Sequence, residues 1–237
     1  MSLSTMPDND VLREALVDGT VMHPDGHKIK VVANINPDCC RALYSTVLTR
    51  KPQLVVEIGM AYGVSTLAIL SALEANGQGR LISIDPYIGW PTGRLVALNQ
   101  VERAGLAGRH EHRHECSYAA LAQLKQEGPP ADFVYIDGNH NFDYAFTDFF
   151  LSDKLIATGG LIGFNDAGWR SVFRVIRFLE KYRHYREIDV GLPRSFRARN
   201  PIFSLIRRIE GRSSDDRYFE KLDDWEPDGA CLQIPGP

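Results

Sequence analysis

The chain has no long apolar run. No stretch approaches the roughly 18 apolar residues that a membrane-crossing helix needs, so no transmembrane segment is expected. The first 25 residues show neither a basic start nor an apolar centre, and no secretory signal is read there. A surplus of one charge is missing too: 27 Lys and Arg stand against 30 Asp and Glu, a net charge of −3. That balance argues against nucleic acid as the main partner, because a nucleic-acid-binding chain needs a basic face. Cysteine is scarce. Four thiols, two of them adjacent at Cys39 and Cys40, make neither a disulfide framework nor a zinc pattern. They read as reduced, and the expected location is cytoplasmic. Internal repeats and low-complexity tracts are lacking. What is there is 237 residues of ordinary composition, enough for one α/β domain with a substantial core.

The rest of the chain is organised around residues 54–70, LVVEIGMAYGVSTLAIL. Leu54, Val55, Val56 and Ile58 form a short apolar run of the kind that fills a strand buried on both faces. Glu57 interrupts it. Gly59, Ala61 and Gly63 then place small residues at alternate positions. Ser65 or Thr66 can cap the next element, and 66–70 reads as a buried helix. A strand that turns through small residues into a helix lets a ligand lie against bare backbone at a helix N-terminus. The same pattern also serves as a plain turn in any doubly wound fold. Ala61 stands where the dinucleotide fingerprint requires glycine, so the pattern is E-x-G-x-x-x-G and not GxGxxG. The next apolar run, 81–84, ends in Asp85, the place where such folds hold ribose hydroxyls.

Before this centre, Val11, Leu12, Ala15 and Leu16 suggest a short amphipathic helix ending at Gly19, and residues 20–34 read as a loop or hairpin. His23 and His27 fall there; they either line a site or are ordinary surface histidines. Asn36-Pro37-Asp38 starts a helix over 38–49. After Asp85, residues 87–93 form an aromatic, turn-rich loop. Trp90 either closes over a substrate or packs on the helix over 94–104. His110, His112 and His114 alternate along a polar third strand; alternation puts them on one face, but zinc would need further converging ligands. Next comes a helix over 118–126.

Residues 131–137 are a second buried strand ending in an acid, with Gly138-Asn139-His140 after it. A helix over 142–155 leads to a strand over 161–164 that ends at Asn165-Asp166. Two neighbouring strands thus deliver Asp137, Asn165 and Asp166 at their carboxyl ends. Two carboxylates and an amide oxygen suit a hard divalent cation such as Mg²⁺; helix capping explains Asp166 alone but not the pair of strands. The helix over 169–182 is amphipathic, with Val172, Val175, Ile176 and Leu179 on its apolar side. Strands are expected at 185–190 and 230–234. Between them, residues 194–212 hold six arginines against Glu210, a stretch open to an anionic substrate, a lipid-linked donor, a membrane surface, a solvated face or a subunit contact.

The glycine turn and Asp85 resemble the class I S-adenosylmethionine (AdoMet) dependent methyltransferases. With D-G-N-H at 137–140 and N-D at 165–166, the chain is similar over roughly 37–182 to the macrocin- and mycinamicin-type metal-dependent sugar O-methyltransferases. The resemblance implies a doubly wound, mostly parallel seven-stranded sheet of Rossmann-like type. It implies an N-terminal extension or cap over 1–36 and a methyltransferase domain over 37–237, with an arginine-rich insertion at about 192–228. AdoMet would contact Glu57, Gly59, Met60, Ala61, Gly63, Ser65, Asp85, Cys116, Ser117 and Asp137. Mg²⁺ would lie on Asp137, Asn165 and Asp166, with His140 as general base. Asn165 departs from the acid often found there in that family. Tyr62, Trp90 and the N-terminal segment are expected to wall the acceptor pocket. The expected activity is Mg²⁺-assisted O-methylation of a sugar or glycan hydroxyl, in natural-product or surface-polysaccharide biosynthesis. The alternatives are a catechol or phenol O-methyltransferase and a non-catalytic AdoMet-fold module. A homo-oligomer and peripheral membrane contact are further expectations.

Overall fold

Short apolar runs bounded by turn residues build the sheet. The computed structural model describes residues 7–31, 35–192, 205, 213 and 215–227. Its main sheet comprises β3 (Leu54–Ile58), β4 (Arg80–Ile84), β5 (His110–Arg113), β6 (Ala131–Ile136), β7 (Ile156–Phe164), β8 (Tyr185–Ile188) and β9 (Arg217–Lys221), in the order β5-β4-β3-β6-β7-β9-β8. Pairing is parallel from β5 through β7, and β9 runs antiparallel to both β7 and β8. This is the expected seven-stranded, mostly parallel architecture. The strand expected at 230–234 lies outside the described residues, as does most of the arginine-rich stretch. β9 instead completes the sheet, inside the segment read from the sequence as an insertion. β7 also starts at Ile156, earlier than expected.

Parallel strands need crossovers, and helices supply them. α2 (Pro37–Arg50) begins where Asn36 accepts from the Cys39 amide at 2.9 Å, with Pro37 in the first turn. α3 (Val64–Asn76) starts at Gly63 and ends at Gly77, both left-handed. α4 (Pro91–Arg103), α5 (Ser117–Glu127), α6 (Phe142–Leu155) and α7 (Arg170–Tyr182) come after their strands in turn.

Alternation along the strands divides the core in two. Val55, Leu81, Phe133, Tyr135, Leu161 and Tyr218 face a layer containing α2, α3 and α4. Val56, Ile82, Val134, Ile162 and Phe219 face α5, α6 and α7. The N-terminal segment joins the first layer. α1 (Asp10–Arg13), capped by Asn9, continues as a wider π turn to Asp18. β1 (Thr20–Met22) and β2 (Lys28–Lys30) then pair as a hairpin, the second of the two forms open to residues 20–34. Leu12, Ala15 and Val21 are buried in the first core, and Asn99 and Gln100 of α4 donate to the Met22 carbonyl at 2.8 and 2.6 Å.

Candidate active site

Strand order reverses between β3 and β6, because the chain passes from β3 outward to β5 and then returns to β6 on the other side. In an open parallel sheet this leaves a crevice at the carboxyl ends of the two strands, where ligands bind. Every residue expected to serve the cofactor or the chemistry lies on or beside that edge.

The glycine turn forms one wall. Gly59 has φ 89°, Ala61 φ 46° and Gly63 φ 82°. A Cβ on Gly59 would sit 2.1 Å from the Asp137 carbonyl oxygen, so glycine is required there by the close passage of two backbones as well as by φ. Asp85 holds the turn in shape. Its Oδ2 accepts from the Met60 and Ala61 amides, both at 3.0 Å, and its Oδ1 accepts from the Tyr87 amide at 2.9 Å. The Tyr87 hydroxyl then donates to the Ala61 carbonyl at 2.7 Å. A carboxylate offers about four acceptor positions, so one remains for a ligand hydroxyl. Met60 contributes backbone only, since its side chain is 1% exposed in the core.

Glu57 lies beneath the turn, fully buried. Ser65 and Thr66 of α3 and Ser83 of β4 donate to it at 2.6, 2.6 and 2.7 Å. Burial pushes its carboxyl upward, against these three hydroxyls. Ser65 is thus spent on Glu57, which ties β3, α3 and β4 together. On the far side Ser117 donates to Asp148 at 2.5 Å, and Cys116 is half-buried at the start of α5. Trp90 packs on Gly93 at the start of α4 and meets Tyr62 edge-on at 4.8 Å, so packing on the helix is the observed outcome.

β6 and β7 bring the chemistry-bearing side chains to the same edge. His140 Nε2 lies 4.0 Å from Asp137 Oδ1 and 3.5 Å from Asp166 Oδ2. Trp169 stacks on the imidazole at 5.2 Å, and the Ser171 hydroxyl donates to the His140 carbonyl. Asp166 adopts φ 50°, a left-handed strain that often marks functional positions. Burial lowers the pKa of His140 while Asp166 raises it, and the net direction is down, which leaves the ring neutral. Asp137 is pushed well upward by burial and by the negative charges of Asp216, Asp166 and Glu57.

Asp216, just before β9, is a residue that sequence reasoning missed. It accepts from Tyr135 at 2.7 Å, Asn165 at 3.0 Å and Tyr218 at 3.2 Å, and burial raises it to about 6. The only sequence signal is Asp215-Asp216 preceding Tyr218-Phe219, an apolar pair hidden among charges. Asp216 also lines a cavity of about 360 Å³ with Glu187, Asp189, Ser213 and Arg217 among its walls.

The donor set fits a hard cation in its chemistry: two carboxylates, with no lysine or arginine among their described contacts, and an amide. Asn165 gives its amide nitrogen to Asp216 and Tyr135, and among the described residues no donor reaches its Oδ1. Asp137, His140 and Asp166 are not drawn within 4.8 Å of one another as a set.

Residues 56–167 match the family described as "Methyltransferase domain". The match runs from β3 to the turn after β7 and includes the glycine turn, Asp85, Asp137, His140 and Asp166. That segment is similar to a methyltransferase domain. The fold is similar to that of solved methyltransferases. An O-methyltransferase from Bacillus cereus in complex with SAH superposes with TM-score 0.66 at 17% identity, over 91% of this chain and 93% of that one. The O-methyltransferase TomG from Streptomyces achromogenes, involved in tomaymycin synthesis and in complex with SAM, gives TM-score 0.60 at 20% identity, over 80% and 82%. Cofactor-bound Rv0187 from MTB gives 0.64 at 16% identity, over 93% and 99%. No curated protein sequence matches the chain significantly. Among the described residues, no helix is long and apolar enough to cross a membrane.

Proposed function

We propose that the protein is an AdoMet-dependent O-methyltransferase that methylates a hydroxyl of a sugar or glycan with the help of Mg²⁺. The observation that carries this reading is the placement of His140 between two carboxylates at the switch point of the sheet. AdoMet would supply the methyl group as a sulfonium, and Asp137, Asp166 and the Asn165 amide oxygen would hold Mg²⁺, which would supply positive charge to the acceptor oxygen. The backbone of 59–63 and the remaining acceptor position of Asp85 hold the cofactor. His140 Nε2 takes the proton from the acceptor hydroxyl, a role commonly worth about 10²–10⁴ in rate. Ser171 and Trp169 fix the histidine through its carbonyl and its ring. The remaining task is positioning, because transfer needs the oxygen in line with the methyl.

The walls of the neighbouring cavity support the acceptor class. Its lining sets Glu187, Asp189, Ser213, Asp216 and Arg217 beside Ile188, Val190, Leu192 and Tyr218, and that polar share suits a polyhydroxylated ring better than a flat phenol. The exposed Trp169 offers a face on which a sugar ring packs.

Calorimetric titration with S-adenosylhomocysteine, with and without Mg²⁺, comes first, and then methyl transfer to deoxysugars, sugar-bearing lipids and catechol. Cofactor binding and Mg²⁺-dependent methylation of a sugar are expected. Transfer to catechol alone moves the acceptor to the phenols. Binding with full turnover in Asp137→Ala removes the metal role, and no cofactor binding at all returns the non-catalytic module.

A further inference from the structure

The β1–β2 hairpin turn, His23-Pro24-Asp25-Gly26-His27, has no part in the methyl-transfer chemistry. Its backbone is closed at both levels: the His23 amide donates to the His27 carbonyl and the Gly26 amide to the His23 carbonyl, both at 2.9 Å. Gly26, at φ 95°, makes the reversal. The two imidazoles are thereby brought face to face, with centroids 4.6 Å apart and planes 25° from parallel.

Both rings aim the same nitrogen at one oxygen. His23 Nδ1 lies 2.9 Å and His27 Nδ1 2.5 Å from Asp25 Oδ1. Among the described residues this is the one group whose three ligand atoms all fall within 4.8 Å of one another. The Asp25 amide also points at His23 Nδ1, at 3.4 Å, and the His27 amide donates to Asp25 Oδ1 at 3.1 Å. Where the His23 nitrogen accepts that amide, its lone pair faces the carboxylate oxygen. A hydrogen on the ring nitrogen or a metal ion between the two atoms makes such a contact favourable.

We propose that His23, Asp25 and His27 bind a transition-metal ion of the Zn²⁺ class through two imidazole nitrogens and one carboxylate oxygen. Imidazole and carboxylate together suit Zn²⁺ over Mg²⁺, and the remaining positions face water. Asp25 and His27 are 60% and 58% exposed, so an ion enters without unfolding the hairpin. The ion fastens the turn whose strand is anchored to α4 through the Met22 carbonyl. The oxygen-rich cluster on β6 and β7 is a separate set of residues, so this site stands or falls apart from the methyl-transfer reading.

The test uses the untagged full-length chain in saturating Mg²⁺, with a chromophoric chelator competing for Zn²⁺. The wild type is expected to take one equivalent with micromolar or tighter affinity, and His23→Ala and His27→Ala each to lose it while retaining the far-ultraviolet dichroism of the wild type. Cu²⁺ in place of Zn²⁺ is expected to show splitting from two nitrogens in the wild type, and that two-nitrogen signal is expected to be lost in each variant. Zn²⁺ affinity unchanged in both variants places the ion elsewhere. No binding by the wild type leaves a proton as the occupant. Either result overturns the proposal.

Discussion

His140 illustrates how neighbouring groups set the protonation state of one ring. Burial favours the neutral form, Asp166 favours the charged form, and burial prevails. A base must be unprotonated to act, so the acid limb of the pH–rate profile is expected below the ordinary histidine value of 6.5. His140→Gln should abolish that limb and lower kcat by about 10²–10⁴ while leaving S-adenosylhomocysteine affinity unchanged. A loss of affinity with kcat intact would make the ring structural. At this scale much of the site was legible, because acids at strand ends and D-x-x-H spacing are local patterns. Asp216 was not, since its partners Tyr135 and Asn165 lie 81 and 51 residues away. Nor was the fate of Ser65 and Thr66: a hydroxyl at a helix start reads as a cap, and only the register of β3 against β4 shows that Glu57 takes both, with Ser83.

At the scale of elements, the turn between β3 and α3 is the most constrained joint. Gly59→Ala forces a Cβ to 2.1 Å from the Asp137 carbonyl, a main-chain atom that cannot swing aside. Gly77, at φ 68° with nothing within 4 Å, faces only the left-handed penalty of about 1–2 kcal/mol. Urea denaturation of the two variants should therefore show Gly59→Ala losing clearly more stability, and only Gly59→Ala losing cofactor binding. α6 carries a different sensitivity. Burial holds the Asp148 carboxyl up at about 6, against the hydrogen bond from Ser117. An acid raised by folding keeps a proton that the unfolded chain has released, so stability falls as pH rises from 3.8 to about 6. Asp148→Asn should remove that part of the slope in urea melts across the window; an unchanged slope would assign it to other groups.

Over the whole molecule, the sheet separates two apolar layers that share no helix. Leu67 on one side and Phe149 on the other are each 0% exposed. Leu67→Ala is expected to cost about 2–5 kcal/mol and Phe149→Ala about 3–5 kcal/mol. The double variant should equal their sum within about 0.5 kcal/mol, because the sheet stands between the two holes. Coupling beyond that would mean the layers relax together. The two-layer design was readable from continuous apolar strands alternating with helices. The place of β9 was not, because this short strand between β7 and β8 offers only Tyr218 and Phe219 as an apolar pair among charges.

That late strand has a consequence for how the protein is made. β7 and β8 leave the ribosome well before Arg217–Lys221, the segment that must slide between them. Until it arrives, the hydrogen-bonding rim of β7 is open and β8 has no neighbour, a state that invites another chain to pair there. Nascent chains stalled short of Arg217 should aggregate or recruit chaperones, whereas chains that have cleared Lys221 should not. Assembly of the sheet thus waits for Lys221, long after the glycine turn has emerged.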